Sequence, residues 1–169
     1  MIAGPNCYAL IRHFESCALR SYPDPATKGA PYTIGYGATG REIGPGVVWT
    51  QERADARLIG DVAQREADAN NAIRVPVTQG QYDAFVSLLY NVGHGSATRN
   101  GIVRLKSGAP STLLAQLNAG DYAGCSEQFL RWVSPGSRVE LGLLKRRMAE
   151  QGVFNGLTAA DAVSLGDRS

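Results

Sequence analysis

Glu15, Asp24 and Thr33 fall within one stretch, FESCALRSYPDPATKGAPYTIGYGATG, running from Phe14 to Gly40. A glycosidic bond breaks when one carboxylic acid protonates the leaving oxygen and a second, ionised carboxylate orients water or attacks the sugar. Glu15 and Asp24, with eight residues between them, are the residue types for those two parts. Acids are mostly surface residues, so the pair gains weight only from the elements around it.

Those elements read as a helix running into a hairpin. Tyr8, Leu10, Ile11 and Phe14 recur at helical spacing after Pro5-Asn6, which predicts a helix over 6–15 with Glu15 at its C-terminal end. Ser21 to Asp24 and Pro31 to Tyr36 then predict a β-hairpin, and the Gly-rich run from Gly37 to Val48 a third short strand. Tyr32-Thr33-Ile34-Gly35-Tyr36-Gly37 alternates large and small residues, and its glycines let backbone or ligand approach closely.

The remainder reads as helices. Thr50 caps a long helix reaching about Arg74, and Pro76 breaks it. Thr78-x-x-Gln81 is a capping-box signature for a helix whose Tyr82, Phe85, Val86, Leu88, Leu89 and Val92 are apolar nearly all round, the candidate central helix. Gly93-His94-Gly95 stops it, 97–107 reads as a weaker helix, and Ser111 caps another that ends at Gly120. Helices over 121–132, 138–154 and 158–165 complete an α+β, mostly α chain without internal repeats.

With 169 residues, 44% hydrophobic and 19% charged, the chain is long enough for one well-buried core and too short for two ordinary domains. A net charge of +2 does not imply a nucleic-acid partner, although it suits weak attraction to an anionic polymer. Three cysteines, Cys7, Cys17 and Cys125, make no metal-ligand set; buried thiols are expected, with a Cys7–Cys17 bridge left open. His13 and His94 lack ligand partners at suitable spacing, so no metal and no cofactor is expected. No signal-peptide pattern, membrane span or anchor is evident, which predicts a chain that stays in the cytoplasm. The motifs GxSxG, GxxxxGK[ST] and GxGxxG are absent, which removes common acyl-transfer and nucleotide chemistries. Trp49, Trp132 and Tyr90 are candidates for stacking on sugar rings or for core. Arg146 and Arg147 could hold an acidic sugar group, pair with a catalytic carboxylate, or form a solvated helix face.

E-x8-D followed by T-I-G-Y-G resembles the lysozyme family of tailed bacteriophages, the phage-type endolysins, and SLLYNVG, STLLAQLNAGDY, EQFLRWV and GLLKRRMAEQGVF extend the resemblance to about residue 156. It implies catalytic roles for Glu15, Asp24 and Thr33 and substrate contacts at Thr39, Tyr90 and Arg147. It also implies a lysozyme-like fold in one domain. A small hairpin lobe (about 14–49) is joined by a connecting helix (about 50–74) to a helical lobe (about 76–156 with 1–13), and a tail covers 157–169. The chain departs from the family where Ser16 follows the Glu in place of Gly, where Ala38 replaces His, and in a longer loop before Thr33.

The implied reaction is a glycoside hydrolase's: cleavage of the β-1,4 bond between N-acetylmuramic acid and N-acetylglucosamine in bacterial peptidoglycan, with inversion favoured by the resemblance. The rivals are a lytic transglycosylase and a non-catalytic wall-binding or structural domain of the same fold. The implied setting is a monomer held in the host cytoplasm until a separate holin-like pore admits it to the periplasmic wall.

Overall fold

The structure is a computed structural model, which describes residues 1–25, 27–137 and 139–168. Among them are α1 (Pro5–Glu15), β1 (Ala18–Pro23), β2 (Tyr32–Gly35), β3 (Ala38–Thr39), α2 (Gln51–Ala72), α3 (Gln79–Val92), α4 (Thr112–Asn118), α5 (Tyr122–Gln128), α6 (Glu140–Phe154) and α7 (Ala159–Asp167). A single 3-10 turn, Phe129–Arg131, extends α5. The architecture is the expected one, mostly helical with a small antiparallel sheet. The chain divides into two compact units, Ile11–Val62, and Met1–Leu10 with Ala63–Ser169; α1 and α2 each have residues in both.

In the Ile11–Val62 unit the strands run in the order β1-β2-β3. Tyr22 pairs with Thr33 and Pro23 with Tyr32, the register shifts before Ala18 reaches Gly35, and Thr33 and Ile34 pair with Thr39 and Ala38. An isolated bridge joins Arg20 to Val48, so the third-strand region continues along the outer side of β1. Ile11, Ile34, Tyr36, Ala38, Ile43, Trp49, Ala54 and Leu58 are buried and form this unit's core. Gly35 shows why the hairpin needs glycine: its φ is +63°, and a Cβ there would stand 3.1 Å from the Trp49 ring.

The larger unit is built on α3, whose residues from Tyr82 to Leu89 are all buried. Its capping box is complete: the Thr78 side chain accepts from the Gln81 N–H, and the Gln81 side chain accepts in return from Thr78 N–H. α3 packs on α6, and α6 on α7. Two buried or half-buried acids anchor the start of α1, Glu66 accepting from Ala3 N–H at 2.6 Å and Asp83 from Gly4 N–H at 2.7 Å. Gly4 is required there because a Cβ would meet Asp83 Oδ2 at 2.8 Å.

The expected helices over 6–15, 51–74, 111–120 and 158–165 are present as α1, α2, α4 and α7 within a few residues. The helix expected over 138–154 is α6; position 138 lies outside the described residues. The helix expected over 97–107 does not form. Instead, the His94 carbonyl accepts from both Val103 and Arg104 N–H, and Gly101 N–H donates to the Arg104 carbonyl. Gly95 and Gly101 pack so closely that no Cβ fits at either, so this segment is a tightly folded turn set by glycine. All three cysteines are free, with Cys7 and Cys125 buried, so the bridge left open between Cys7 and Cys17 is absent. Burial pushes the Cys125 thiol up to about 12 and the Cys7 thiol higher still, which keeps both protonated and inert.

Candidate active site

Glu15 is the last residue of α1 and is half-buried. Ser16 terminates the helix in the left-handed region at φ 54°, a conformation that normally favours glycine at a helix end. The departure from the family pattern at this position thus sits where the backbone is strained. Gly37, in the β2–β3 turn, lies against the acid: a Cβ on it would stand 3.4 Å from Glu15 Oε2, and its φ is +87°.

Asp24 follows β1 directly and is held by its own turn. Its N–H donates to the carbonyls of Pro31 and Gly29, and its Oδ1 accepts from Thr27 N–H at 2.9 Å. A side chain that bonds backbone a few residues on fixes both the turn and the direction of the carboxylate. Thr33, in β2, is half-buried and lies opposite Thr39 of β3, which is exposed; facing residues on neighbouring strands have side chains on one side of the sheet. Glu15, Asp24, Thr33 and Thr39 therefore all belong to the Ile11–Val62 unit.

Tyr90 and Arg147 belong to the larger unit, on α3 and α6. Tyr90 is half-exposed. Arg147 is 0% exposed, with Nη2 donating to Asn91 Oδ1 at 2.8 Å and Nε 3.2 Å from Glu150 Oε2. Neither Arg146 nor Arg147 forms a solvated face, since both are buried on Glu150. Trp49 is likewise core at 5% exposure.

Sequence reasoning passed over a cluster in the unit that holds Glu15. Asp55 of α2 accepts from Tyr36 Oη at 3.1 Å, from Gln51 Nε2 at 3.3 Å and from Arg12 Nη2 at 3.3 Å. The i,i+4 spacing of Gln51 and Asp55 at a helix start was a visible signal. What it lacked was any indication that Tyr36 would turn inward between two glycines.

The chain matches the family model described as phage lysozyme over residues 12–150. It is 42% identical over 149 residues to the endolysin of Acyrthosiphon pisum secondary endosymbiont phage 1, covering 86% of this chain and 92% of that relative. It is 40% identical over 152 residues to the endolysin of Bacillus phage B103, of which it spans only 52%. Among solved structures, the endolysin from Escherichia coli O157:H7 phage FAHEc1 superposes with a TM-score of 0.73 at 32% identity, covering 92% of this chain and 94% of that one. The turn-bound Asp24, the helix-end Glu15 and the three-stranded sheet are thus features of a chain that belongs to the phage lysozyme family.

Proposed function

We propose that this chain, a lysozyme-type endolysin by family, hydrolyses the β-1,4 bond between N-acetylmuramic acid and N-acetylglucosamine in bacterial peptidoglycan. Glu15 is the general acid, protonating the leaving oxygen; Asp24, with Thr33, orients the attacking water or stabilises the oxocarbenium-like sugar. The observation that supports this best is the placement of the half-buried Glu15 carboxylate against the glycine turn of the same small sheet that carries Asp24 and Thr33. Thr39, exposed beside Thr33, and Tyr90 are assigned to substrate contact. Arg147 serves that contact through Asn91, the neighbour of Tyr90 that it holds.

Replacing Glu15 with Gln removes the transferable proton and keeps the shape. Glu15→Gln is expected to fold normally and to lose about 10²-fold or more in turnover on purified peptidoglycan. Retention of more than about a tenth of wild-type activity would show that Glu15 is not the acid. Product mass separates the two glycosidase chemistries: hydrolysis adds water and leaves a reducing sugar, whereas a lytic transglycosylase makes an anhydro product lighter by one water.

Delivery is part of the same proposal: the chain is held in the host cytoplasm and reaches the wall when a separate pore-forming protein opens the inner membrane. Among the described residues no helix is long and apolar enough to cross a membrane. Expression alone is expected to leave cells intact and inner-membrane permeabilisation to bring rapid lysis. Lysis on expression alone, blocked by inhibiting the general secretory pathway, would overturn it.

A further inference from the structure

The groups gathered on Asp55 come from α1, from the β2–β3 turn and from the start of α2 itself. Arg12 precedes Glu15 by three residues on α1, so the two side chains leave the helix on neighbouring faces. Cys17, two residues beyond Glu15, lies 3.8 Å from Gln51 Nε2. Tyr36 immediately precedes Gly37, the glycine against which the Glu15 carboxylate rests, and Gln51 Nε2 donates to the Tyr36 hydroxyl at 3.1 Å. One carboxylate on the first turns of α2 therefore ties the end of α1 to the β2–β3 turn. We infer that Asp55 is a positioning residue, holding the Glu15 end of α1 at a fixed distance from the hairpin turn that faces the acid.

An isolated exposed ion pair would not do this, because two long side chains held only by each other are mobile and screened. This cluster differs in its anchor. Tyr36 is 8% exposed and sits in the unit's core, so its hydroxyl approaches Asp55 from a direction the packing already fixes. The protonation states support the same bond. Hydrogen bonds from Gln51, then from Tyr36 and Arg12, hold the Asp55 carboxyl below the usual carboxylate range, while burial and then the bond to Asp55 push the Tyr36 phenol up. At neutral pH the phenol remains a donor and the carboxylate an acceptor. In this role the cluster acts through Glu15, and the inference rests on the reading of Glu15 as the acid.

The test compares Asp55→Asn and Tyr36→Phe with Asp61→Asn, which alters an acid further along α2 whose partner is Arg57. Initial rates on peptidoglycan give kcat and KM separately, beside thermal melts of each variant. The expected result is a fall in kcat of about 10- to 100-fold in Asp55→Asn, a smaller fall in Tyr36→Phe, KM within about twofold, and wild-type kinetics in Asp61→Asn. The basic limb of the kcat/KM profile, which reports the acid, should also move in the first two variants and not in the third. Wild-type kcat and pH profile in both Asp55→Asn and Tyr36→Phe, with or without a change in melting temperature, overturns the inference. If Asp55→Asn fails to fold, Tyr36→Phe, which removes one hydroxyl, decides the matter alone. Glu15→Gln run in parallel distinguishes the failures: activity surviving in Glu15→Gln overturns the acid assignment itself, whereas an inactive Glu15→Gln beside unaffected Asp55 and Tyr36 variants overturns only the positioning role.

Discussion

In the Ile11–Val62 unit Asp55 collects Arg12, Tyr36 and Gln51 with 34% of its side chain exposed. In the larger unit Glu150, with 0% of its side chain exposed, collects Ser87 Oγ at 2.7 Å, Arg146 Nε at 3.1 Å and Arg147 Nε at 3.2 Å. Both are acids on helices that bring several donors to one carboxylate, and their surroundings give them opposite consequences. Water can replace any partner that Asp55 loses. Around Glu150 it cannot, so loss of the acid removes the buried carboxylate that faces both guanidiniums, and removing one member of such a pair typically costs about 3–5 kcal/mol. The exposed cluster can thus be altered without unfolding the chain, which suits a device that tunes geometry, whereas the buried one is part of what holds α3 to α6.

The largest expected effect follows. Glu150→Gln should destabilise by about 3–5 kcal/mol, seen in denaturant unfolding at constant slope and as a drop in melting temperature of about 10 °C or more. Asp55→Asn should change stability far less, and the gap between the two should persist in high salt, because only the exposed cluster is screened. Equal losses in the two variants would break the comparison and assign Asp55 to the stability of its unit rather than to the geometry of Glu15.

The same contrast explains what could be read in advance. Short-range signals came through: the Thr78–Gln81 capping box and the Ser111 cap start the helices they specify, and the alternation from Tyr32 became β2 as far as Gly35, with Tyr36 and Gly37 in the turn that follows. Glu15, Asp24 and Thr33 were legible as candidates because their surroundings are local, a helix end and a hairpin in consecutive sequence. Arg146 and Arg147 were not legible as buried groups. Their spacing to Glu150 on α6 was visible, but their burial depends on α6 packing against α3, which supplies Ser87 and Asn91 from far away in the chain. The helix expected over 97–107 failed for a related reason. Its residues have adequate helix propensity, and the glycine-dependent close approach of Gly95 to Gly101 overrides it.

Ser16 offers the smallest effect and the finest distinction between the units. It is a non-glycine residue at φ 54°, placed directly after the proposed acid. An L-residue in this region pays a steric penalty of about 1–2 kcal/mol, part of which glycine returns as extra freedom in the unfolded chain. Ser16→Gly should therefore stabilise the protein by about 0.5–1 kcal/mol, a rise in melting temperature of about 2 °C. Its effect on turnover carries the information. If Asp55, Tyr36 and Arg12 set the position of Glu15, relaxing the helix end should leave kcat within about twofold of wild type, because the end of α1 is held from the α2 side. A stabilised Ser16→Gly protein with kcat down about tenfold would mean that the strained Ser16 backbone, and not the Asp55 cluster, places the acid.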